Sequence, residues 1–345
     1  MKKRFLFMLV VTLLLLLLYA AAELFLPVGQ GGRNLEIEIP KGTTFRQAVE
    51  LLQGRNLIRD RRIFLIMGRL TATDRKIRAG FYSLWSGMSP FELLTILLKG
   101  KIVEYEVKIL EGDSLLEIAD AFAKTGIIAP VEFMQLTQDP DLLAYHDISA
   151  PSVEGYIFPD TYTIPKGMNA EDALNTMITR MREKYTDKLA ARAQELGMTK
   201  NQVLTLASII EKEAVIDSER SVISAVYHNR LRKNMQLQAD PTAIYGVKSS
   251  KERITLNDLK RKTAYNTYAI KGLPPGPIAS PGLKSIVAAL YPANVSYLYF
   301  VSQDDRSHRF AETEKEHAEN VRLYRAKKRE MKNTPKEESD EKAPS

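Results

Sequence analysis

The strongest constraint on this 345-residue chain is an apolar run near its start. The run covers residues 5–22, contains no charged residue and follows Lys2, Lys3 and Arg4. A helix of 18 residues is about 27 Å long, close to the hydrocarbon thickness of a bilayer. Cations ahead of such a helix place the N-terminus in the cytoplasm. We therefore predict a cytoplasmic tip and transmembrane anchor over residues 1–27 and a flexible spacer over residues 28–36.

A cleaved signal peptide is the competing interpretation of the same run. Ala20, Ala21 and Ala22 are small residues that precede Glu23, as at a cleavage site. The run is longer than the roughly 7–15 residues of an ordinary signal core, which favours an uncleaved anchor. In both interpretations the remaining chain works outside the cytoplasm.

Composition narrows the class of protein. Hydrophobic residues make up 45% and charged residues 26%, which is typical of globular domains. The net charge of +7 shows no basic stripe, so we expect no nucleic-acid partner. The absence of cysteine excludes disulfides and thiol catalysis. The four histidines are scattered without ligand spacing, so we expect neither a metal nor a cofactor.

A strand–turn–helix pattern occurs twice, about 70 residues apart. Residues 37–45 form the first copy and residues 107–115 begin the second. The two copies match at Gly42 and Gly112, and Thr44 and Ser114 are equivalent N-cap candidates. These openings resemble LysM-type modules, which are small βα units that bind peptidoglycan-like glycans. We predict a LysM-like repeat domain over residues 37–150; a generic α+β spacer is the alternative.

Two glutamates end the most apolar helix predicted in the chain. Thr199 and Gln202 form a capping box, and the buried stripe that follows consists of Val203, Leu206, Ala207, Ile210 and Ala214. Glu211 and Glu213 lie about 200° apart at the two edges of that stripe, so periodicity does not choose between them. A carboxyl group against apolar walls has a raised pKa and can act as a general acid. The alternative is an ordinary solvated helix end.

Polar loops follow this helix within a larger mixed α+β domain that we predict over residues 151–325. Short polar and aromatic side chains in these loops suit hydrogen bonding to a sugar, or else hold the loops together. The candidates are Gln238, Asp240, Thr242, Tyr265, Asn266, Thr267 and Tyr268. The aromatic residues of segment 154–162 either stack on sugars or form a hairpin core.

The end of the chain is predicted from simple patterns. Residues 297–301 are a strand paired with residues 308–310, and a helix covers residues 313–329. A charged tail is assigned to residues 326–345, with disorder expected from residue 332 onward.

Four segments carry a resemblance to a known family: 206–214 (LASIIEKEA), 218–246, 263–282 and 297–301. Together with segment 154–162 they resemble the YceG-like family of membrane-anchored endolytic murein transglycosylases. The resemblance implies an α+β fold and a lyase that cuts the β-1,4 bond between N-acetylmuramic acid and N-acetylglucosamine in nascent glycan strands. It also implies an inner-membrane location, 1,6-anhydro product ends and a role in ending elongation beside penicillin-binding synthases.

The resemblance further implies that the first glutamate, Glu211, is the catalytic acid and that Glu213 has a supporting role. Two other functions stay open from the residues. One is a non-catalytic cell-wall-binding scaffold for peptidoglycan synthases. The other is a hydrolase that uses Asp240 as its second carboxylate.

Overall fold

The computed structural model describes residues 2–29, 32–248, 252–303 and 305–333. The fold is mixed α+β, as predicted, and divides into two compact units. The smaller unit comprises Met1–Glu106 and Thr163–Met168, and the larger comprises Val107–Tyr162 and Asn169–Ser345. This division differs from the predicted boundary at residue 150, because the second strand–turn–helix copy belongs to the larger unit.

The smaller unit combines the apolar helix with one small sheet. Its elements are α1 (Lys2–Phe25), β1 (Asn34–Ile39), α2 (Phe45–Gly54), α3 (Arg61–Leu70), β2 (Gly80–Trp85) and α4 (Pro90–Lys99). By length and composition, α1 could cross a membrane, and among the described residues no other helix could. Strands β1 and β2 pair antiparallel with Ile37 opposite Tyr82. The predicted spacer is therefore shorter than expected, since β1 begins at Asn34.

The core of the smaller unit follows from alternation in the strands and from helix periodicity. Ile37, Ile39, Tyr82 and Leu84 point from one face of the sheet and are at most 5% exposed. They pack against apolar residues of the helices, namely Val49, Leu52, Phe64, Leu93, Leu94 and Leu97. The predicted N-cap at Thr44 is confirmed, because Thr44 forms a capping box on α2, and Ser89 forms another on α4.

The larger unit is mostly helical. Its elements are β3 (Glu104–Lys108), α5 (Leu115–Thr125), α6 (Pro130–Leu136), α7 (Pro140–Tyr145), β4 (Thr161–Pro165), α8 (Ala170–Lys184), α9 (Asp187–Glu195), α10 (Lys200–Glu213), α11 (Arg220–Arg232), α12 (Asp240–Ile244), α13 (Leu256–Leu259), α14 (Leu283–Leu290), β5 (Tyr299–Ser302), β6 (His308–Ala311) and α15 (Glu314–Asn333). Strands β3 and β4 pair, and the boundary between the units falls within them. Helix α10 packs against α14 and α11 in the core.

Both copies of the repeat open with a strand, a turn and a capped helix, and the second contains one α-helix more than the first. The first runs β1, α2, α3, β2, and the second runs β3, α5, α6, α7, β4. Gly42 and Gly112 both have φ near +80°, a left-handed conformation that glycine adopts without strain. Ser114 caps α5 with the same capping box that Thr44 forms on α2. The internal repeat predicted from sequence is thus present as two similar supersecondary units.

Several local predictions for the larger unit can be compared with the structure. The pairing of β5 with β6 is confirmed. Tyr156, Phe158 and Tyr162 are at most 8% exposed, so the aromatic segment belongs to the core and not to a sugar-stacking surface. Helix α15 extends to Asn333, so the first part of the predicted tail is helical, and residues 334–345 lie outside the described residues.

Candidate active site

Helix α10 carries both candidate acids on its last turn. The side chain of Thr199 accepts the backbone N–H of Gln202, and Gln202 accepts the backbone N–H of Thr199, which completes the predicted capping box. Leu206, Ala207 and Ile210 are fully buried. The helix is therefore fixed at its start by the cap and along its length by the core. Its final residues, Glu211 and Glu213, leave that core in different directions.

Glu211 is held in a buried ion pair. Its Oε1 accepts a hydrogen bond from Nη1 of Arg220 at 2.9 Å, and its Oε2 accepts one from the backbone N–H of Gly282 at 2.8 Å. The side chains of Glu211 and Arg220 are only 5% and 9% exposed. Arg220 also contacts Asp217 and Ser285. Both oxygens of Glu211 thus accept hydrogen bonds, which fix the orientation of its carboxyl group.

Glu213 lies in the opposite kind of environment. It is half-buried beside Tyr227 and Asp240. Burial, and next the negative charge of Asp240, raise the pKa of Glu213 to about 8, although the Tyr227 hydroxyl and the backbone N–H of Asp240 act in the opposite direction. Glu213 therefore keeps its proton near neutral pH, which is the state that a general acid requires.

The two glutamates consequently differ in what they can do chemically. The assignment of the acid to Glu211, implied by the family resemblance, stays a prediction. The raised pKa of Glu213 makes it a second candidate for the acid, and the ion pair with Arg220 fixes the position of Glu211. Periodicity left the choice open, because it carries no information on the residues outside the helix, Arg220 and Asp240, that approach the two side chains.

Three of the seven predicted substrate contacts are buried inside the loops. Thr242, Asn266 and Thr267 are each 0% exposed. The hydroxyl groups of Thr242 and Thr267 lie 2.8 Å apart, and Thr267 accepts the backbone N–H of Ala239. Asn266 donates to the carbonyl oxygens of Leu259 and Arg261 and accepts the backbone N–H of Tyr268. These residues hold the loops together, which is the second of the two roles that the sequence allows.

Gln238, Asp240 and Tyr268 lie on the accessible side of the same loops, and Asp240 and Tyr268 interact electrostatically with Glu213. Gln238 and Asp240 are exposed, and Tyr268 is half-buried with its hydroxyl donating to Oδ1 of Asp240 at 2.5 Å. The charge of Asp240 raises the pKa of Glu213, and Tyr268 and Asp240 both raise the pKa of Tyr227. This side of the site therefore combines one protonated carboxyl, a second carboxyl and a phenol.

Gln238 occupies an unusual backbone conformation that Arg230 supports. Its φ is +50°, a left-handed value that costs a non-glycine residue free energy. Nη1 of Arg230 donates to Oε1 of Gln238 and to the carbonyl oxygen of Leu237, and Nε donates to that of Leu298. The buried guanidinium of Arg230 thus fixes the loop that carries Gln238 and Asp240. Sequence reasoning missed this role.

Tyr265 lies in a second group around a buried acid, Glu154. The rings of Tyr265 and Tyr245 pack 4.6 Å apart between centroids. Oε2 of Glu154 accepts from the Tyr245 hydroxyl at 3.1 Å and from the backbone N–H of Leu115 at 3.2 Å. Glu154 is 3% exposed, its Oε1 has no hydrogen-bond partner among the described residues, and burial raises its pKa to about 7. Its only sequence signal was its place at the start of the aromatic segment.

The second repeat copy is joined to the loop that binds Glu211. Gly112 donates its N–H to the carbonyl oxygen of Ser280, and Ser280 donates its N–H to that of Asp113, both at 2.8 Å. Nζ of Lys212 donates to the carbonyl oxygen of Gly112. The turn of the second copy therefore contributes to positioning Gly282 and α10.

A cavity of about 930 Å³ lies at the other end of α10. It is lined by residues that include Thr199, Gln202, His228, Arg232 and Pro274, and by neither glutamate. At 1.5 Å per residue, the length of α10 puts it about 20 Å from them. No group of three His, Cys, Asp or Glu side chains suited to a metal occurs in the described part of the chain.

Comparisons with known proteins agree with this architecture. The model of the YceG-like family matches residues 37–323. An endolytic murein transglycosylase of Bacillus subtilis is 31% identical over 313 residues, which span 86% of each chain. One from Streptococcus pneumoniae is 27% identical over 331 residues, covering 86% of this chain but 59% of that protein.

A solved structure gives the same result for the fold. The crystal structure of a YceG-like protein from Listeria monocytogenes superposes with a TM-score of 0.58 at 31% identity. The match covers 84% of this chain and 99% of the Listeria chain. The family match spans most of the sequence, from the first strand into the last helix. This chain belongs to the YceG-like family.

Proposed function

We propose that this chain is a peptidoglycan lytic transglycosylase that cuts glycan strands internally. The family match and the relatives from Bacillus subtilis and Streptococcus pneumoniae, both named endolytic murein transglycosylases, support the reaction class. The single structural observation that carries the chemistry is the raised pKa of Glu213 beside Asp240. An enzyme that breaks a glycosidic bond needs such a proton donor.

In the proposed reaction, Glu213 donates its proton to the oxygen that bridges N-acetylmuramic acid and N-acetylglucosamine. The bond between that oxygen and muramyl C1 breaks, and positive charge develops at C1. The carboxylate of Asp240 stabilises that charge by Coulomb attraction. The muramyl C6 hydroxyl then bonds to C1 and returns its proton to Glu213. The products are a free 4-hydroxyl on N-acetylglucosamine and a 1,6-anhydro end, and no water is consumed.

Glu211, which the family resemblance implies as the acid, is the alternative proton donor for the same reaction. In the reaction written for Glu213, it has a positioning role. Its ion pair with Arg220 and its hydrogen bond from Gly282 join α10 to α11 and to the start of α14. We propose that it sets the position of the last turn of α10, and hence of Glu213. Gln238, Tyr265 and Tyr268 remain the proposed glycan contacts, while Thr242, Asn266 and Thr267 support the loops from inside.

A hydrolase is the second candidate function, and the proximity of Asp240 to Glu213 is the observation that favours it. Most glycoside hydrolases use two carboxyl groups, one as the acid and one as nucleophile or base. The two reactions give different ends on the same substrate. A lyase leaves 1,6-anhydromuramic acid, and a hydrolase leaves a reducing muramic acid heavier by one water.

Mass spectrometry of nascent glycan strands incubated with the purified chain tests the proposal. We expect internal cleavage with 1,6-anhydro ends, and reducing ends would establish the hydrolase instead. Binding without fragments would indicate the cell-wall scaffold. Glu213→Gln should abolish product formation, with Glu211→Gln as the matched variant on the same turn.

The location in the cell is also part of the proposal. We propose that α1 is a single-pass anchor in the inner membrane with its N-terminus in the cytoplasm. The support is the apolar length of α1 and the three cations that precede the run. The larger unit and the part of the smaller unit that follows α1 then lie on the periplasmic side, where the glycan is.

The two repeat copies are proposed to be LysM-like. Each copy opens with a strand, a turn and a helix with a matching capping box, and this shared opening supports the likeness. The turn of the second copy is engaged with Ser280, so the first copy is the better candidate for glycan contact. Penicillin-binding peptidoglycan synthases are proposed partners, with cleavage ending the elongation of a strand. That partnership is supported by the family resemblance alone.

A further inference from the structure

The net charge of the chain is confined to its first third. Residues 1–106 contain 16 Lys and Arg against 9 Asp and Glu, whereas residues 107–345 contain 33 of each. The whole formal charge of +7 therefore belongs to the segment that follows and includes α1. Lys2, Lys3 and Arg4 belong to the proposed cytoplasmic tip. Residues 23–106 therefore carry 13 Lys and Arg against 9 Asp and Glu, an excess of +4 that the topology signal does not explain.

The end of α1 is seated directly on the smaller unit. Leu24 is buried, and the rings of Phe25 and Phe91 pack 5.2 Å apart between centroids. The guanidinium of Arg59 donates to the carbonyl oxygens of Leu26 and Pro27. The proposed anchor thus passes into the folded unit without a free linker. The surface around Arg59 must consequently face the bilayer from which α1 emerges.

That surface is both basic and apolar. The first turn of α3 follows Arg59, and Arg46, Arg61 and Arg62 line a cavity of about 220 Å³ between α2 and α3 with Glu50 as the acidic lining residue. One turn farther along α3, Ile66 is 56% exposed and Leu70 is 75% exposed, with the exposed Arg69 between them. A helix that shows cations and large apolar side chains on its open face is typical of membrane-surface binding.

We infer that the α2–α3 surface (Arg46, Arg61, Arg62, Ile66, Arg69 and Leu70) docks on a bilayer that contains anionic phospholipids. The cavity between α2 and α3 accepts a phosphate headgroup on the arginines, and Ile66 and Leu70 enter the headgroup region. Docking holds the smaller unit flat against the membrane. The inference rests on the proposed anchoring by α1 and is independent of the proposed chemistry.

The test uses the full chain in lipid nanodiscs with a single labelled cysteine, since the natural sequence has none. Ile66→Cys carries a polarity-sensitive fluorophore, and Val131→Cys, which is similarly exposed but lies in the larger unit, is the control position. Discs contain spin-labelled lipid as quencher, with or without phosphatidylglycerol. We expect the label at position 66 to be quenched strongly in anionic discs and weakly in zwitterionic ones, and that at position 131 to change little.

A charge variant tests whether the arginines are responsible. Arg61→Gln combined with Arg62→Gln should reduce quenching at position 66 to the zwitterionic level. Arg75→Gln combined with Lys76→Gln removes the same charge from the same unit outside the cavity and should not. In protein with all arginines intact, 0.5 M salt should reduce the quenching at position 66 in the same way. This measurement keeps the test valid if the double variant misfolds.

Three outcomes would overturn the inference. Equal quenching in the two lipids would mean that the tether alone brings the surface to the membrane. An equal effect of the two double variants would mean that net charge matters and the α2–α3 surface does not. Loss of quenching with millimolar inorganic phosphate would assign the cavity to a soluble phosphate ligand. Glycan cleavage by each variant, assayed in parallel, reports separately on the proposed chemistry.

Discussion

Two glutamates on one helical turn illustrate how neighbouring residues acquire different protonation states. Glu211 meets a guanidinium and a backbone N–H, whereas Glu213 meets a second carboxyl group and a phenol. Ion pairing lowers the free energy of a charged carboxylate, and burial beside a like charge raises it. The chain thus holds one carboxyl group in an ion pair and places the other where burial keeps it protonated near neutral pH.

The pH dependence of stability should separate these residues. The folded-state pKa of Glu213 is about 8 against 4.5 for the free side chain. Its contribution to the free energy of unfolding is therefore lost progressively as pH rises from about 4.5 to about 8. Glu213→Gln removes this loss, so its Tm relative to the wild type should rise between pH 5 and pH 8.5. A difference in Tm that is constant with pH would contradict the assignment.

Glu211→Gln, unlike Glu213→Gln, should lower the free energy of unfolding. Removing one partner of a buried ion pair leaves Arg220 uncompensated, at a cost of about 3–5 kcal/mol. Glu211→Gln combined with Arg220→Met should cost less than the sum of the two single changes, because no buried charge is then left alone. Denaturant unfolding of the four proteins gives the coupling energy. Strict additivity would show that the pair is not coupled.

The sequence predicted which residue types line the site but not which way they face. Seven loop residues were candidates, and Thr242, Asn266 and Thr267 proved to be internal. Their type gave no warning, because a small polar side chain suits a loop interior as well as a sugar. Arg220, Arg230 and Glu154 were missed, since periodicity does not show which side chains meet across the turns that follow a helix or across distant segments such as Glu154 and Tyr245.

At the scale of elements, the sequence predicted a helix or strand reliably where a capping residue or an alternation of apolar and polar residues marks it. The capping boxes at Thr44, Ser89, Ser114 and Thr199 all formed as the sequence indicates. Pro241 lies in the first turn of α12, where its missing N–H costs no helix hydrogen bond.

The loop interior should be sensitive to loss of Asn266. Its Nδ2 donates to the carbonyl oxygens of Leu259 and Arg261 at 3.0 and 2.6 Å, and the side chain is fully buried. Asn266→Ala leaves these acceptors without partners, at about 1–3 kcal/mol each. We expect a loss of at least about 3 kcal/mol in denaturant unfolding. Asn257→Ala, an exposed amide on α13, is the matched control and should change stability by under about 0.5 kcal/mol.

Whole-molecule organisation was predicted in outline. The apolar helix, the internal repeat and the α+β class follow from the sequence pattern, since each depends on local periodicity. The division into units did not, because the second repeat copy packs with the larger unit through Ser280. Sequence spacing shows that two copies exist but not which neighbour each one joins.

Retention of α1 is the prediction that belongs to this scale. Because Leu24, Leu26 and Pro27 contact the smaller unit, cleavage after Ala22 would remove the span and leave only its end attached. We expect the intact mass of the membrane-extracted protein to include residues 2–22, and the protein to resist carbonate extraction. A mature N-terminus at Glu23 would instead identify a signal peptide.

The pH profile of kcat/KM for glycan cleavage tests the central claim most directly, namely that protonated Glu213 is the proton donor and that Asp240 helps to keep it protonated. The wild type should lose activity as pH rises through about 8. Asp240→Asn removes the neighbouring charge, so the remaining activity should decline at a lower pH. It would contradict the account if kcat/KM of Asp240→Asn fell at the same pH as that of the wild type, or if Glu213→Gln kept full activity.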